Sequence, residues 1–138
     1  MRIAVVGMGK IGLPLAVHYA RGGHTVVGGD VNPRVVALIN EGGETFPGEA
    51  HLGEYPPPLA SSGTPHATTE YAEAIPGADA VVMVVPLVVD DESRPDFHVM
   101  DAATRSMAAH LTPGTLVSYE TTLPVGTTRG RYKPLIEE

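Results

Sequence analysis

The 138 residues contain no cysteine. That excludes disulfides, thiolate metal sites and a cysteine nucleophile within them. Tryptophan is absent as well, and only five tyrosines and two phenylalanines are present. A core must therefore be built from Val, Ile, Leu and Ala. Basic residues are scarce: nine Lys and Arg stand against sixteen Asp and Glu, for a net charge of −7. A nucleic-acid-binding surface would be basic, so that class of partner is not expected. Long apolar runs are missing too. The longest, Ala80–Val89, is too short to cross a bilayer and carries Pro86. Met1-Arg2 leads straight into a strand pattern, with no apolar stretch of signal-peptide length. A cytoplasmic location, with no membrane partner, is the expectation. The six histidines, at 18, 24, 51, 66, 98 and 110, show no metal-ligand spacing.

Apolar residues still make up 43% of the chain, enough for one folded domain with a core. The strongest pattern is Gly7-Met8-Gly9-Lys10-Ile11-Gly12. Before it, Arg2-Ile3-Ala4-Val5-Val6 reads as a buried strand. After it, Leu13–Ala20 reads as a helix. A bare G-x-G-x-x-G is weak evidence. Between strand and helix, with Asp30 ending a second apolar run 18 residues past Gly12, it is a strong dinucleotide signature. Gly7 allows the tight turn, Gly9 lets a pyrophosphate approach the backbone, and Gly12 lets the helix pack closely. The N–H groups of Lys10 and Ile11, at the positive end of the helix dipole, would hold phosphates. Asp30 would accept from ribose hydroxyls and repel a 2′-phosphate, which favours NAD over NADP. Capping of the next loop is its plainer role. Arg34 could approach the adenine ribose or simply face solvent.

Strand and helix patterns alternate along the rest. A helix from about Lys10 to Arg21 closes at Gly22-Gly23. Pro14 is a misfit there, expected in the second turn. Thr25-Val26-Val27 lies in a second strand. Asn32 and Pro33 start a helix as cap and first residue and take it to about Asn40. Residues 42–64 hold Pro47, Pro56, Pro57, Pro58 and five glycines, and read as a long loop with one short turn near Ala50–Gly53. His66–Thr68 is a third strand, Thr69–Ile75 a short helix, and Ala80–Val85 a fourth strand. Asp90-Asp91-Glu92 falls in a solvated loop. Phe97–Leu111 is a helix capped by Asp96, Thr115–Tyr119 a fifth strand, and Thr127 to about Glu137 a last helix. The fold expected is α/β, a doubly wound parallel (Rossmann) sheet in the order 3-2-1-4-5, with the usual sixth strand absent. Val85-Pro86-Leu87 ends the fourth strand beside the switch point of the sheet, where Leu87 could flank a nicotinamide riboside. Glu120, Thr121 and Thr122 end the fifth strand at the same edge.

Ile3–Leu15, Gly23–Pro33, Ala78–Asp90, Pro95–Leu111 and Thr112–Thr128 together resemble the N-terminal NAD-binding domain of the UDP-glucose/GDP-mannose dehydrogenase family. Lys10 in the glycine loop and Leu87-Val88 after Pro86 look more like the branch acting on UDP-N-acetyl-mannosamine-type sugars. The resemblance implies oxidation of a sugar C6 alcohol to a carboxylate by two hydride transfers to NAD. It implies a cysteine thiolate that attacks the aldehyde, giving a thioester that water hydrolyses, with a lysine, an asparagine and glutamates assisting. The family threonine of the Ser/Thr-Thr-x-Pro motif falls on Thr122, expected beside the nicotinamide where it helps place a water.

The cysteine of that chemistry is not among these residues. The expectation is thus a single NAD-binding domain over residues 1–138, lacking the central helix and sugar-nucleotide domain, that binds NAD and is inactive alone. A UDP-sugar would be a partner only of a longer enzyme. The alternatives are a 6-phosphogluconate/3-hydroxyisobutyrate-type dehydrogenase domain and a non-catalytic NAD-sensing or partner-binding module. In the last case the open sheet edge could mediate self-association.

Overall fold

The structure is a computed structural model that describes residues 1–42 and 65–138. The short turn expected near Ala50–Gly53, with most of the proline-rich segment, lies outside the described residues.

Four consecutive strand residues of β1 (Arg2–Val6) are buried, and they alternate between two cores. Ile3 and Val5 face one core; Ala4 and Val6 face the other. The same split divides Val26 from Val27 in β2 (Thr25–Gly29), and Val82 from Val81 and Met83 in β4 (Ala80–Met83). A strand covered on both faces has no polar face to show, so its sequence is apolar throughout. β3 (His66–Thr68) and β7 (Leu116–Tyr119) complete a five-stranded sheet in the order β3-β2-β1-β4-β7. All four pairings are parallel. Between β4 and β7 stands a small antiparallel hairpin, β5 (Val88–Val89) with β6 (Pro95–Asp96). With the hairpin set aside, the sheet has the expected 3-2-1-4-5 order.

Helices cover both faces. Leu13 and Ala16 of α1 (Gly12–Arg21) and Ile39 of α2 (Pro33–Asn40) enter the core of Ile3 and Val5. Ala74 of α3 (Tyr71–Ala74), Met100 and Met107 of α4 (His98–Ala108), and Tyr132 enter the opposite core. Tyr132 ends a π-helical turn, Thr128–Tyr132, that runs on into α5 (Lys133–Glu137). The single last helix read from sequence is therefore two segments with different winding.

Helix α1 starts two residues later than the sequence pattern indicated. Pro14 is its third residue and stands between the Leu13 N–H, which donates to the Gly9 carbonyl at 3.1 Å, and the Leu15 N–H, which donates to the Ile11 carbonyl at 3.2 Å, so one bond of the opening turn is omitted there. The cost read from sequence, one missing early hydrogen bond, is thus present, in the first turn rather than the second. Asn32 caps α2 as expected, accepting from the Arg34 N–H at 3.0 Å. The side chain of Asn40 pairs with edge strand β3 in both senses. Its amide donates to the Ala67 carbonyl at 2.8 Å and its oxygen accepts from the Ala67 N–H at 2.9 Å. That satisfies edge groups an exposed strand would leave open.

Candidate cofactor site

The glycine loop leaves β1 and enters α1 with Gly7 at φ +92°, a left-handed conformation that suits glycine. A Cβ there would also sit 2.9 Å from the Val84 carbonyl oxygen. Gly12 is tighter still. A Cβ on it would fall 1.7 Å from the Gly7 carbonyl oxygen, so α1 lies directly on the loop. Gly9 is the opposite case, with nothing within 4 Å of where its Cβ would be. The three glycines thus have three distinct physical duties: turn, open approach and close packing.

The loop is also rich in unused donors. Gly7 N–H donates to the Gly29 carbonyl at 2.8 Å and Met8 N–H to Asp30 Oδ2 at 2.8 Å. The N–H groups of Gly9, Lys10, Ile11 and Gly12 take no protein acceptor among the described residues. They stand at the start of α1, where the helix dipole is positive. Four free donors beside the open space at Gly9 form a cradle for a phosphate group.

Asp30 links this loop to the end of β2. Its Oδ2 accepts from Met8 and its Oδ1 from the Asn32 N–H at 2.9 Å. Of the two roles weighed for it from sequence, these bonds are those of the capping one. It caps the turn into α2, and each oxygen retains a lone pair for a ribose hydroxyl. The Met8 contact was not legible in the glycine pattern. Its side chain is fully buried and packs where a Cβ on Gly28 would stand. That packing fixes the loop backbone against β2.

A cleft of about 400 Å³ opens beside the loop, lined by Gly7, Asp30, Val85 and Pro86 among the residues read from sequence. The structure adds Val31, Tyr71, and the α4 residues His98, Val99, Ala102, Ala103 and Ser106. A second hollow of about 330 Å³ shares Val31, Tyr71 and Ser106 with it and extends to His110. Burial, and next the Asp30 charge, push the Tyr71 phenol up, so it stays a neutral hydrogen-bonding group. No sequence motif marks the α4 wall. What points to it is the rule that ligands lie at the carboxyl ends of the strands, beside the switch in strand order.

The remaining candidates are set apart from the cleft. Arg34 is exposed and uses its backbone N–H on Asn32. Leu87 is half-buried against the core of Met100 and Met107. Thr122 is exposed, and it is the adjoining Thr121 that bonds, donating to the Val85 carbonyl at 2.8 Å. That bond ties the end of β7 to the end of β4. The acidic segment after β5 is solvent-exposed, as expected, and forms the turn of the hairpin. Asp90 accepts from the Glu92 and Arg94 N–H groups and from Arg94 Nε, all at 2.8–2.9 Å. The Arg94 contacts hold its carboxyl below the usual range. No group of His, Asp or Glu able to hold a metal occurs among the described residues, and no described helix is long and apolar enough to cross a membrane.

A parallel sheet in this order, with a glycine cradle after its first strand and an acid after its second, defines a dinucleotide-binding Rossmann domain. The profile of the UDP-glucose/GDP-mannose dehydrogenase family, NAD binding domain, matches residues 1–138. The chain belongs to that family and is its NAD-binding domain. UDP-N-acetyl-D-mannosamine dehydrogenase of Salmonella typhimurium is 38% identical over 126 residues, covering 91% of this chain and 29% of that protein. NDP-N-acetyl-D-galactosaminuronic acid dehydrogenase of Ralstonia nicotianae is 39% identical over 126 residues, with the same two coverages. The solved UDP-N-acetyl-mannosamine dehydrogenase of Pyrococcus horikoshii superposes with a TM-score of 0.89 at 31% identity, covering 100% of this chain and 33% of that one. The chain spans about 29% of the length of these curated relatives. Family membership decides against the 6-phosphogluconate/3-hydroxyisobutyrate alternative.

Proposed function

We propose that residues 1–138 are the cofactor half of a nucleotide-sugar 6-dehydrogenase, with a UDP-N-acetylhexosamine as the substrate class. The observation that carries this reading is the glycine loop: four free N–H donors, open space at Gly9, and Asp30 alongside. The N–H groups of Gly9 to Gly12 bind the diphosphate. Asp30 orients the adenosine ribose through its free lone pairs and disfavours a 2′-phosphate. Val85 and Pro86 line the cleft toward the end of β4. Thr122 holds a water at that strand-end edge through its unoccupied hydroxyl. Arg34 and Leu87 have secondary roles, at the adenosine end and the nicotinamide end respectively. When bound, NAD supplies the hydride acceptor for oxidation at the sugar C6. The thiolate step of the family needs a cysteine, and these 138 residues have none. They hold the cofactor but do not turn over a UDP-sugar. The exposed edge of β7, with Leu116 65% exposed, is where a further strand or a second copy would pair. A cytoplasmic location goes with this reading.

Calorimetric titration with NAD and NADP tests it. NAD binds, NADP binds at least tenfold more weakly, and Asp30→Ala loses NAD binding. Equal affinity for the two cofactors would remove the role given to Asp30. Absence of binding by both would remove the reading as a whole.

A further inference from the structure

The cleft is asymmetric in charge. Of the ionisable groups lining it among the described residues, Asp30 is an acid and Tyr71 is held neutral; only His98 can carry a positive charge. His98 opens α4, on the wall across from Asp30 and Tyr71. A cation in the first turn of a helix opposes the helix dipole, so a protonated imidazole there gains most when an anion is at hand. The other charged groups around it are Asp96, from the hairpin; Asp101 and Arg105, on its own helix; and Arg131, on the π-helical turn. Asp96 Oδ1 accepts from the His98 backbone N–H at 2.9 Å. Asp101, one turn on, is bound by the Arg131 guanidinium. The His98 ring has no hydrogen bond or ion pair among the described residues.

A dinucleotide brings two phosphate charges to the mouth of this cleft. The loop answers them with neutral N–H groups, and Lys10 is solvent-exposed. We propose that His98 is a further cofactor-binding residue: its protonated ring meets the diphosphate from the α4 side and makes NAD affinity depend on pH. The inference rests on the NAD-binding reading above. Histidine changes charge between about pH 5 and pH 8. A protonated ring adds a charge-assisted hydrogen bond to the phosphate, so affinity is greater in acid than in alkaline solution.

Calorimetric titration of NAD into the full chain, His98→Gln, His98→Lys and His110→Gln, at about pH 5.5 and about pH 8.5, tests this. The wild-type chain binds roughly three- to tenfold more tightly at the lower pH. His98→Gln loses that difference, His98→Lys binds tightly at both values, and His110→Gln keeps the wild-type slope. A slope that survives in His98→Gln, or one that is absent from the wild-type chain, overturns the inference while NAD binding itself stands. A wild-type chain that binds no NAD at either pH overturns both.

Discussion

The glycine loop and the junction of α4 with the C-terminal helical turns use polar groups in opposite ways. At the loop the backbone is left unfinished, with four N–H donors that take no protein acceptor among the described residues and open space at Gly9. At the junction nearly everything is closed. Arg131 forks onto Asp101, with Nε 2.8 Å from Oδ1, and its guanidinium lies 4.5 Å from the Phe97 ring centre. Tyr119 stacks on Tyr132 at 4.6 Å and shares a 2.9 Å hydrogen bond with Thr104. Unpaired donors on a surface loop are satisfied by water and cost little, so they can be kept for a ligand. Buried groups have no such reserve and must find partners within the chain. The contrast separates binding from stability, and substitutions at the two places should divide the same way.

The largest effect is expected at Gly12. Alanine is the better helix former by about 1 kcal/mol. Here that gain is overwhelmed, because the new Cβ would fall 1.7 Å from a backbone oxygen that cannot swing aside. Gly12→Ala should destabilise the chain by roughly 3 kcal/mol or more and abolish NAD binding. Gly9→Ala is the companion. Its methyl meets no protein atom, so the melting temperature should hold while NAD binding weakens at least tenfold. Thermal melts alongside calorimetric titration separate the two. A Gly9→Ala chain that binds NAD as well as wild type would mean the phosphates do not approach there.

The ion pair at the junction should show the reverse pattern. Asp101 is 9% exposed, and losing its partner leaves a carboxylate largely out of water. Arg131→Ala should cost about 1–2 kcal/mol, measured by urea unfolding, with NAD affinity unchanged. The hydrogen bond from Arg131 holds the Asp101 carboxyl below its usual range. A carboxyl lowered in the folded state adds stability above its unfolded value, near pH 4, and loses it as pH falls through the folded one. The wild-type chain should therefore lose stability on the acid side below about pH 4, and Arg131→Ala should flatten that limb. A tenfold loss of NAD affinity in Arg131→Ala would break the separation between the two regions.

The unequal legibility of these regions in the sequence has a physical cause. The sheet was readable because strands covered on both faces must be apolar throughout, as Ile3–Val6 and Ala80–Val85 are. The loop was readable because its glycines are demanded by local geometry: a positive φ at Gly7 and a near contact at Gly12. The α4 wall of the cleft was not, since Val99, Ala102 and Ala103 are ordinary helix residues and only the tertiary fold sets them opposite Asp30. The hairpin hid for a related reason. Two-residue strands such as Val88–Val89 are too short for an alternation, and the turn is organised by Asp90, which reads in sequence as one acid among three. The π-helical turn carries no periodicity of its own; the Arg131–Asp101 pair and the stacking of Tyr132 on Tyr119 hold it in place.

The smallest effect is expected at the junction's one open group. Tyr132 is fully buried, and its hydroxyl has no hydrogen-bond partner among the described residues. Replacing an unsatisfied buried hydroxyl by hydrogen removes a desolvated polar group and leaves the ring stacking intact. Tyr132→Phe should be neutral or stabilising by up to about 1 kcal/mol near neutral pH. At high pH the difference grows. Burial, and next the Asp101 charge, push the Tyr132 phenol up to about 12. A phenol raised in the folded state contributes stability that is complete below its unfolded value, about pH 10, and is lost as pH rises through the folded one. Stability of the wild-type chain should thus decline from about pH 10 toward about pH 12, where the unfolded chain ionises first. Tyr132→Phe should shrink that decline without removing it, because burial also raises Tyr71 and Tyr119. If the variant instead lost more than about 1 kcal/mol at neutral pH, the hydroxyl would have to be hydrogen-bonded after all. The junction would then be closed at every polar group, and its contrast with the glycine loop complete.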